Sequence, residues 1–151
     1  MNWLAIKEEI YYRDGSWRDI YVLDTTWEDW RDWILLVNKT YEVTFYNGLT
    51  QQMEIGINTE AVHSYLTEKT DLTNSATIKL GAISIKCYFF TDEEIEVDID
   101  PREIVSIEDH NRLIDYMTTV SICLNKSVIM TAESSQDTIY ILIDGENVKF
   151  V

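Results

Sequence analysis

One strand-like segment carries most of the chemistry that the sequence offers. Between residues 94 and 100, Ile95, Val97 and Ile99 alternate with acidic residues. Those acidic residues are Glu94, Glu96, Asp98 and Asp100. This alternation predicts a β-strand with one apolar face and one carboxylate face, and we expect the carboxylate face to be exposed. A row of carboxylates can bind a cation, serve acid–base catalysis or attract a basic protein.

Metal binding and glycoside hydrolysis are poorly supported by this spacing. Alternate residues on one strand face are roughly 6.6 Å apart, which is too far for neighbours to share a small ion without another element. Calcium takes six to eight oxygens from a loop that wraps it. Nothing in the sequence marks a carboxyl group with the raised pKa that a glycosidase acid needs. We therefore expect no metal, no cofactor and no hydrolase site.

The acidic segment is longer than the strand itself. Residues 92–103 contain seven acids, with Arg102 as the only basic residue. Clustered like charges repel one another unless something favours them. We predict that this segment binds a partner; the alternative is a merely solvated face. The candidate partner-binding residues are Glu94, Glu96, Asp98, Asp100, Asp92 and Glu93, followed by Trp17 and Tyr11 near a predicted hairpin turn.

No catalytic motif accompanies these acids. The sequence has no nucleophile elbow, P-loop, dinucleotide glycine pattern or H-E-x-x-H motif. His63 and His110 are predicted to be ordinary surface or boundary residues. Cys87 and Cys123 both lie in apolar runs, which favours small core residues over ligands. We therefore predict that the protein is not an enzyme.

Charge narrows the class of partner. The 151 residues include 12 basic and 27 acidic side chains, giving a net charge of -15 at pH 7. This balance argues against nucleic acid and against an anionic membrane surface. A basic protein is the natural partner because opposite charge speeds encounter. No stretch resembles a signal peptide or a membrane span, so we expect a cytoplasmic protein.

The elements expected in the N-terminal half are a hairpin, a helix and further strands. The hairpin covers residues 9–24 and turns at Asp14-Gly15. Thr26 and Asp29 form a predicted capping box for a helix that ends near Asn38. Strands are predicted at residues 41–46 and 53–57, followed by a short helix at 59–69 and two strands within 76–90.

The C-terminal half is expected to hold a long helix and three strands. Ser106 and Asp109 form a second predicted capping box, and the helix that follows runs to about Asn125. Strands are expected at residues 128–131, 138–143 and 148–151. The chain is predicted to form one α+β domain over residues 1–151, with two principal amphipathic helices on a mainly antiparallel sheet. Its core should contain Trp30, Ile34, Leu113, Met117, Val120, Ile95 and Val97.

Several segments together carry a family resemblance. They are RDIYVLDTTWEDWRDWI, the stretch IEVDIDPREIVSIEDHNRLIDYMTTVSICLNKSVIMTAES, and TIYILIDGENVKF. These resemble small bacterial proteins related to polymorphic-toxin immunity proteins, in which an acidic strand, a long helix and a strand ending in Thr-x-Glu follow one another. Here the last motif is Thr131-Ala132-Glu133, with Ala132 in place of an expected proline. The match covers the last third of the chain best.

The resemblance implies a non-enzymatic inhibitor that binds a cognate toxin. Many such toxins are basic nucleases, so an acidic surface could occupy a cleft that normally takes phosphate. Two other classes stay open at this stage. One is a small-ligand-binding domain or enzyme with a pocket between helix and sheet. The other is a subunit of a homo-oligomer, marked by an exposed flat aromatic patch.

Overall fold

The computed structural model describes residues 2–151 and folds them into one large sheet with helices on it. The helices are α1 (Trp3–Glu9), α2 (Trp27–Thr40), α3 (Thr59–Leu66) and α4 (Ile107–Leu124), with a 3-10 turn at Pro101–Glu103. The strands are β1 (Arg18–Leu23), β2 (Glu42–Asn47), β3 (Gln52–Ile55), β4 (Ser75–Leu80), β5 (Ile83–Cys87), β6 (Glu94–Ile99), β7 (Val128–Ala132), β8 (Ser135–Asp144) and β9 (Asn147–Phe150). This confirms the predicted α+β class. None of the described helices is long and apolar enough to cross a membrane.

The sheet places the first strand of the chain in its interior, next to the central strand β6. Its order is β3-β2-β4-β5-β6-β1-β7-β8-β9, and every neighbouring pair is antiparallel. β1 therefore pairs with β6 on one side and with β7 on the other. The edges are the short strands β3 and β9, and short edges limit unwanted strand pairing.

The core lies between this sheet and helices α2 and α4. All the predicted core residues are buried in one cluster: Trp30, Ile34, Leu113, Met117, Val120, Ile95 and Val97. Trp33 is also fully buried, and its indole nitrogen donates to the Tyr116 hydroxyl at 3.0 Å. That bond satisfies the indole N–H group inside the apolar core. The predicted packing of both helices on the sheet is confirmed.

The two predicted helix caps form differently. Thr26 and Asp29 make the reciprocal capping box at the start of α2. Ser106 also caps α4, since its hydroxyl accepts from the Asp109 amide at 3.2 Å. The Asp109 carboxylate, however, accepts from the Val105 amide at 3.1 Å instead of the N-cap amide. It also pairs with Arg112 at 2.9 Å, so α4 has a modified cap.

The predicted hairpin over residues 9–24 is wrong. Residues 3–9 form helix α1, and only the second arm is a strand, β1. Asn2 caps α1, since its side-chain oxygen accepts from the Ala5 amide at 3.0 Å. Ile6 and Ile10 are both buried, at the spacing of four that places side chains on one helix face. A short apolar run fits the strand period of two as well as the helix period of 3.6 residues, and this ambiguity explains the error.

Arg18 organises the irregular segment that joins α1 to β1. Its side chain is fully buried, and no carboxylate among the described residues pairs with it. Instead its guanidinium donates to the backbone oxygens of Ile10 (2.7 Å), Tyr12 (3.0 Å) and Trp17 (2.9 Å). The guanidinium carbon also lies 4.5 Å from the centre of the Tyr12 ring. One side chain thus satisfies carbonyl groups that no strand partner reaches.

Two other predictions made from residue type need correction. His110 is buried, and its Nδ1 atom lies 2.8 Å from the Tyr11 hydroxyl. Burial lowers the pKa of His110 to about 4, so this histidine is a neutral core residue at pH 7. Cys87 is buried as expected, but Cys123 is exposed on α4. The apolar run around Cys123 belongs to a helix, whose outer face points to solvent.

Candidate functional site

Strand β6 lies at the middle of the sheet, and its acidic side chains lie on the face opposite the core. Ile95, Val97 and Ile99 are buried, which confirms the predicted register of β6. Across the ladder, Asp98 lies opposite Asp19 of β1, while Glu96 and Glu94 lie opposite Tyr21 and Leu23. The sheet therefore adds carboxylates of a second strand to the predicted row.

These side chains line a depression that we call the acidic trough. It has a volume of about 540 Å³. Its lining residues are Trp17, Asp19, Tyr88, Phe90, Glu94, Glu96, Asp98, Glu133 and Ser134. Five of these nine residues are acidic and none is basic. The predicted exposure of the carboxylate row is wrong in degree, because Glu94, Glu96 and Asp98 are only half-exposed between neighbouring strands.

Asp19 and Asp98 face each other across neighbouring strands of the trough. Asp19 is buried, and its carboxylate accepts from the Tyr21 hydroxyl at 3.0 Å and from the Ser134 amide at 2.7 Å. The Oδ1 atom of Asp98 is buried without a hydrogen-bond partner among the described residues. Burial, followed by the hydrogen bond to Asp19 and its charge, raises the pKa of Asp98 to about 8. Asp98 therefore keeps its proton to a higher pH than an ordinary carboxyl group does.

Glu96 is held at the floor of the trough beside this pair. Burial raises the pKa of Glu96, and the charges of Asp19 and Glu94 raise it further. Lys86 lies opposite Asp98 on β5, but its ammonium group donates to the Thr77 hydroxyl at 3.0 Å. The trough thus keeps an excess of carboxylate that the nearest cation does not engage.

Hydrogen bonds from the strand ends fix the rim. The Trp17 amide donates to a Glu133 carboxylate oxygen at 2.8 Å, which ties the start of β1 to the turn between β7 and β8. The Gln136 side chain donates to Glu94 at 2.7 Å. Trp17, Tyr88 and Phe90 provide aromatic walls. Carboxylates beside aromatic faces suit an ammonium or guanidinium group, which both attract.

The same oxygens could hold a metal ion. Asp19, Glu96 and Asp98 each offer one ligand atom, and these atoms lie within 4.8 Å of one another. A hard divalent cation uses carboxylate oxygens of this kind but needs about six ligands or more, so other oxygens or water would have to complete the shell. The expectation from spacing along one strand did not include Asp19, which comes from the neighbouring strand.

The structure separates the predicted partner-binding residues into four groups. Glu94, Glu96, Asp98 and Trp17 meet in the acidic trough. Asp92 and Glu93 are exposed in a second depression beyond Phe90. Asp100 lies outside both and makes a two-point contact with Arg102, whose hydrogen bonds lower the pKa of that carboxyl group. Tyr11 is buried against His110, so its prediction as an accessible contact residue is wrong.

Sequence reasoning missed Asp19, Glu133, Tyr88 and Phe90. A signal for Asp19 was present, since Trp17, Asp19 and Tyr21 alternate on one face of β1. It was obscured because the opposite face begins with Arg18, a residue that patterns assign to solvent. Glu133, Tyr88 and Phe90 reach the trough through strand order, which the sequence pattern does not determine.

Replacing Asp98 with asparagine is expected to stabilise the protein at alkaline pH. Folding raises the pKa of the Asp98 carboxyl group from its usual value to about 8. The protein therefore loses stability as pH rises between those two values, because only the folded state retains the proton. The amide carries no charge and can still donate to Asp19. We expect a gain of about 1 to 3 kcal/mol at pH 9, allowing for solvent screening, and a smaller effect at pH 5.

Urea unfolding at pH 5, 7 and 9 measures this change. The matched control is Asp92→Asn, which removes a charge from an exposed residue and should change stability by less than about 0.5 kcal/mol. An Asp98→Asn effect that is equal at all three pH values would show that burial of this carboxyl group is not linked to its proton.

Fold and site together define an α+β protein with an antiparallel sheet whose open face carries a half-buried carboxylate trough. Comparison of the chain with protein-family models, with curated proteins and with solved structures gave no match. The functional argument therefore depends on the geometry of the trough and on the sequence resemblance described above.

Proposed function

We propose that this chain is an immunity-type protein that binds and neutralises a cognate basic bacterial toxin through the acidic trough, in the cytoplasm of the cell it protects. The observation that carries the proposal is the gathering of Asp19, Glu94, Glu96, Asp98 and Glu133 around one depression without a basic lining residue. The net charge of -15 and the resemblance to immunity proteins support it.

Binding would use charge and geometry at successive stages. The overall charge speeds the approach of a basic surface, and the rim carboxylates Glu94 and Glu133 meet it first. A lysine or arginine side chain that enters the trough then lies against Asp19, Asp98 and the aromatic walls. Its positive charge favours ionised Asp98, so the pKa of that carboxyl group falls as the complex forms. The mechanism needs no catalytic step.

The test uses a candidate toxin, the C-terminal domain of a large secreted protein that we expect to be encoded beside the gene for this chain. We expect the two purified proteins to form a stable complex on size-exclusion chromatography, and co-expression to restore growth of cells that produce the toxin domain. Affinity should fall as salt rises from 50 to about 300 mM, since charge drives the encounter. Absence of both a complex and protection would refute the proposal. Salt-independent binding would move the interface away from the trough.

A further inference from the structure

Two exposed aromatic side chains form a ridge beside the acidic trough. Tyr88 is 42% exposed and Phe90 is 61% exposed, and their ring centres are 5.8 Å apart. Both follow β5 directly, on the open face of the sheet. Adjacent apolar rings that stay in contact with water are typical of a surface that a partner covers.

The backbone between them is shaped to present both rings. Phe89 is fully buried, with its ring 5.5 Å from that of Trp30 and 6.0 Å from that of Phe45. Its φ angle is +57°, in the left-handed region that a bulky side chain seldom adopts and that costs about 1 to 2 kcal/mol. Core packing of Phe89 holds this conformation and keeps Tyr88 and Phe90 directed outward.

An apolar depression adjoins the ridge. It has a volume of about 490 Å³, and its aromatic lining residues are Tyr46, Tyr65, Tyr88 and Phe90. Tyr46 lies on β2 opposite Met53 of β3, which is 65% exposed and extends the apolar surface towards the sheet edge. A depression of this size and lining can accept one large apolar side chain.

Carboxylates border this apolar surface on two sides. Phe90 lines the acidic trough and also a second depression that contains Glu68, Asp71, Asp92 and Glu93 with one lysine. A second copy of this chain would bring another net charge of -15 against the same region, which disfavours self-association. Charge complementarity favours a basic partner whose apolar side chain has lysine or arginine beside it.

We propose that Tyr46, Tyr65, Tyr88 and Phe90 form an anchor site for one aromatic side chain of a basic protein partner, whose flanking cationic residues lie in the acidic trough. This inference rests on the proposed function and names the chemistry of the surface that the toxin presents. The anchor contributes tight, slowly dissociating contact, while the carboxylates contribute the rate of encounter.

Two short peptides test the anchor directly. The probes are acetylated and amidated Lys-Arg-Phe-Arg-Lys and the same peptide with serine in place of phenylalanine, titrated in low-salt buffer by calorimetry. We expect the phenylalanine peptide to bind the native protein about tenfold more tightly, because one ring leaves water. The preference should fall towards one in Phe90→Ser. It should persist in Leu35→Ser, a control on α2 whose side chain is 59% exposed. Thermal melting of both variants verifies that they fold.

The outcomes separate this inference from the proposed function. Equal, salt-sensitive binding of both peptides to the native protein overturns the proposed anchor site and is consistent with binding through the acidic surface. A preference for phenylalanine that survives Phe90→Ser also overturns it, because the apolar contact then lies elsewhere. If neither peptide binds, the anchor is overturned as well, and the experiment with the toxin domain decides the proposed function independently.

Discussion

Replacement of Arg18 with methionine is expected to lower the free energy of unfolding by about 3 to 5 kcal/mol, the cost of removing several hydrogen bonds that one buried guanidinium donates. Methionine fills much of the same space but donates no hydrogen bond. The backbone oxygens of Ile10, Tyr12 and Trp17 would then lose the donor that satisfies them. The Ile10 oxygen is the buried one of the three, and a buried acceptor left without a partner costs about 1 to 3 kcal/mol. The contact of the guanidinium with the Tyr12 ring would also be lost.

Equilibrium unfolding in urea, followed by tryptophan fluorescence, measures this effect. Arg102→Met is the matched control, since Arg102 is 68% exposed and pairs with Asp100 at the surface. Exposed ion pairs contribute about 0 to 1 kcal/mol, so the control should stay close to the native protein. Equal losses in the two variants would mean that the buried position of Arg18 adds nothing to stability.

Reversing two rim charges of the trough should slow binding of the proposed toxin domain by about tenfold or more. The variant is Glu94→Lys with Glu133→Lys, which changes the local charge by four units where the partner first arrives. Because the variant loses the hydrogen bonds from the Trp17 amide and the Gln136 side chain, thermal melting verifies that it folds. Stopped-flow or surface-resonance kinetics in low salt give the association rate, and the effect should shrink as salt rises.

The control for this prediction carries the same charge change at a distant place. Glu8→Lys with Glu146→Lys alters two exposed residues, one on α1 and one in the turn before β9. If association depends on the trough, the control should slow far less than the rim variant. Equal slowing would show that only net charge matters. Unchanged association of the rim variant would mean that the partner binds elsewhere.

The fold was predictable where one periodicity was strong. β6 and the helices α2 and α4 have long, regular patterns, and the structure agrees with them. The prediction for the N-terminal segment was wrong because Ile10 and Tyr11 fit both a strand and the end of a helix. Strand order was not predictable either, since pairing of β1 with β6 and β7 joins residues that are far apart in the chain.

The site was predictable only in part for the same reason. The alternation of acidic and apolar residues on one strand identifies Glu94, Glu96 and Asp98 in the sequence. Asp19 joins them through the neighbouring strand, and that second strand turns a row of separate carboxylates into a cluster with a strongly raised pKa at Asp98. The same residues were expected to be exposed and instead lie half-buried.

The position of β1 between β6 and β7 determines when the sheet can form during synthesis. β1 leaves the ribosome early, but its two partners are β6 and β7, which begin at Glu94 and Val128. At about 5 to 20 residues per second, its two edges wait several seconds for those partners. A nascent chain that stops before β7 holds β1 with an open edge. The sheet therefore closes only once nearly the whole chain has emerged, and this protein should depend on chaperones that shield apolar strands until then.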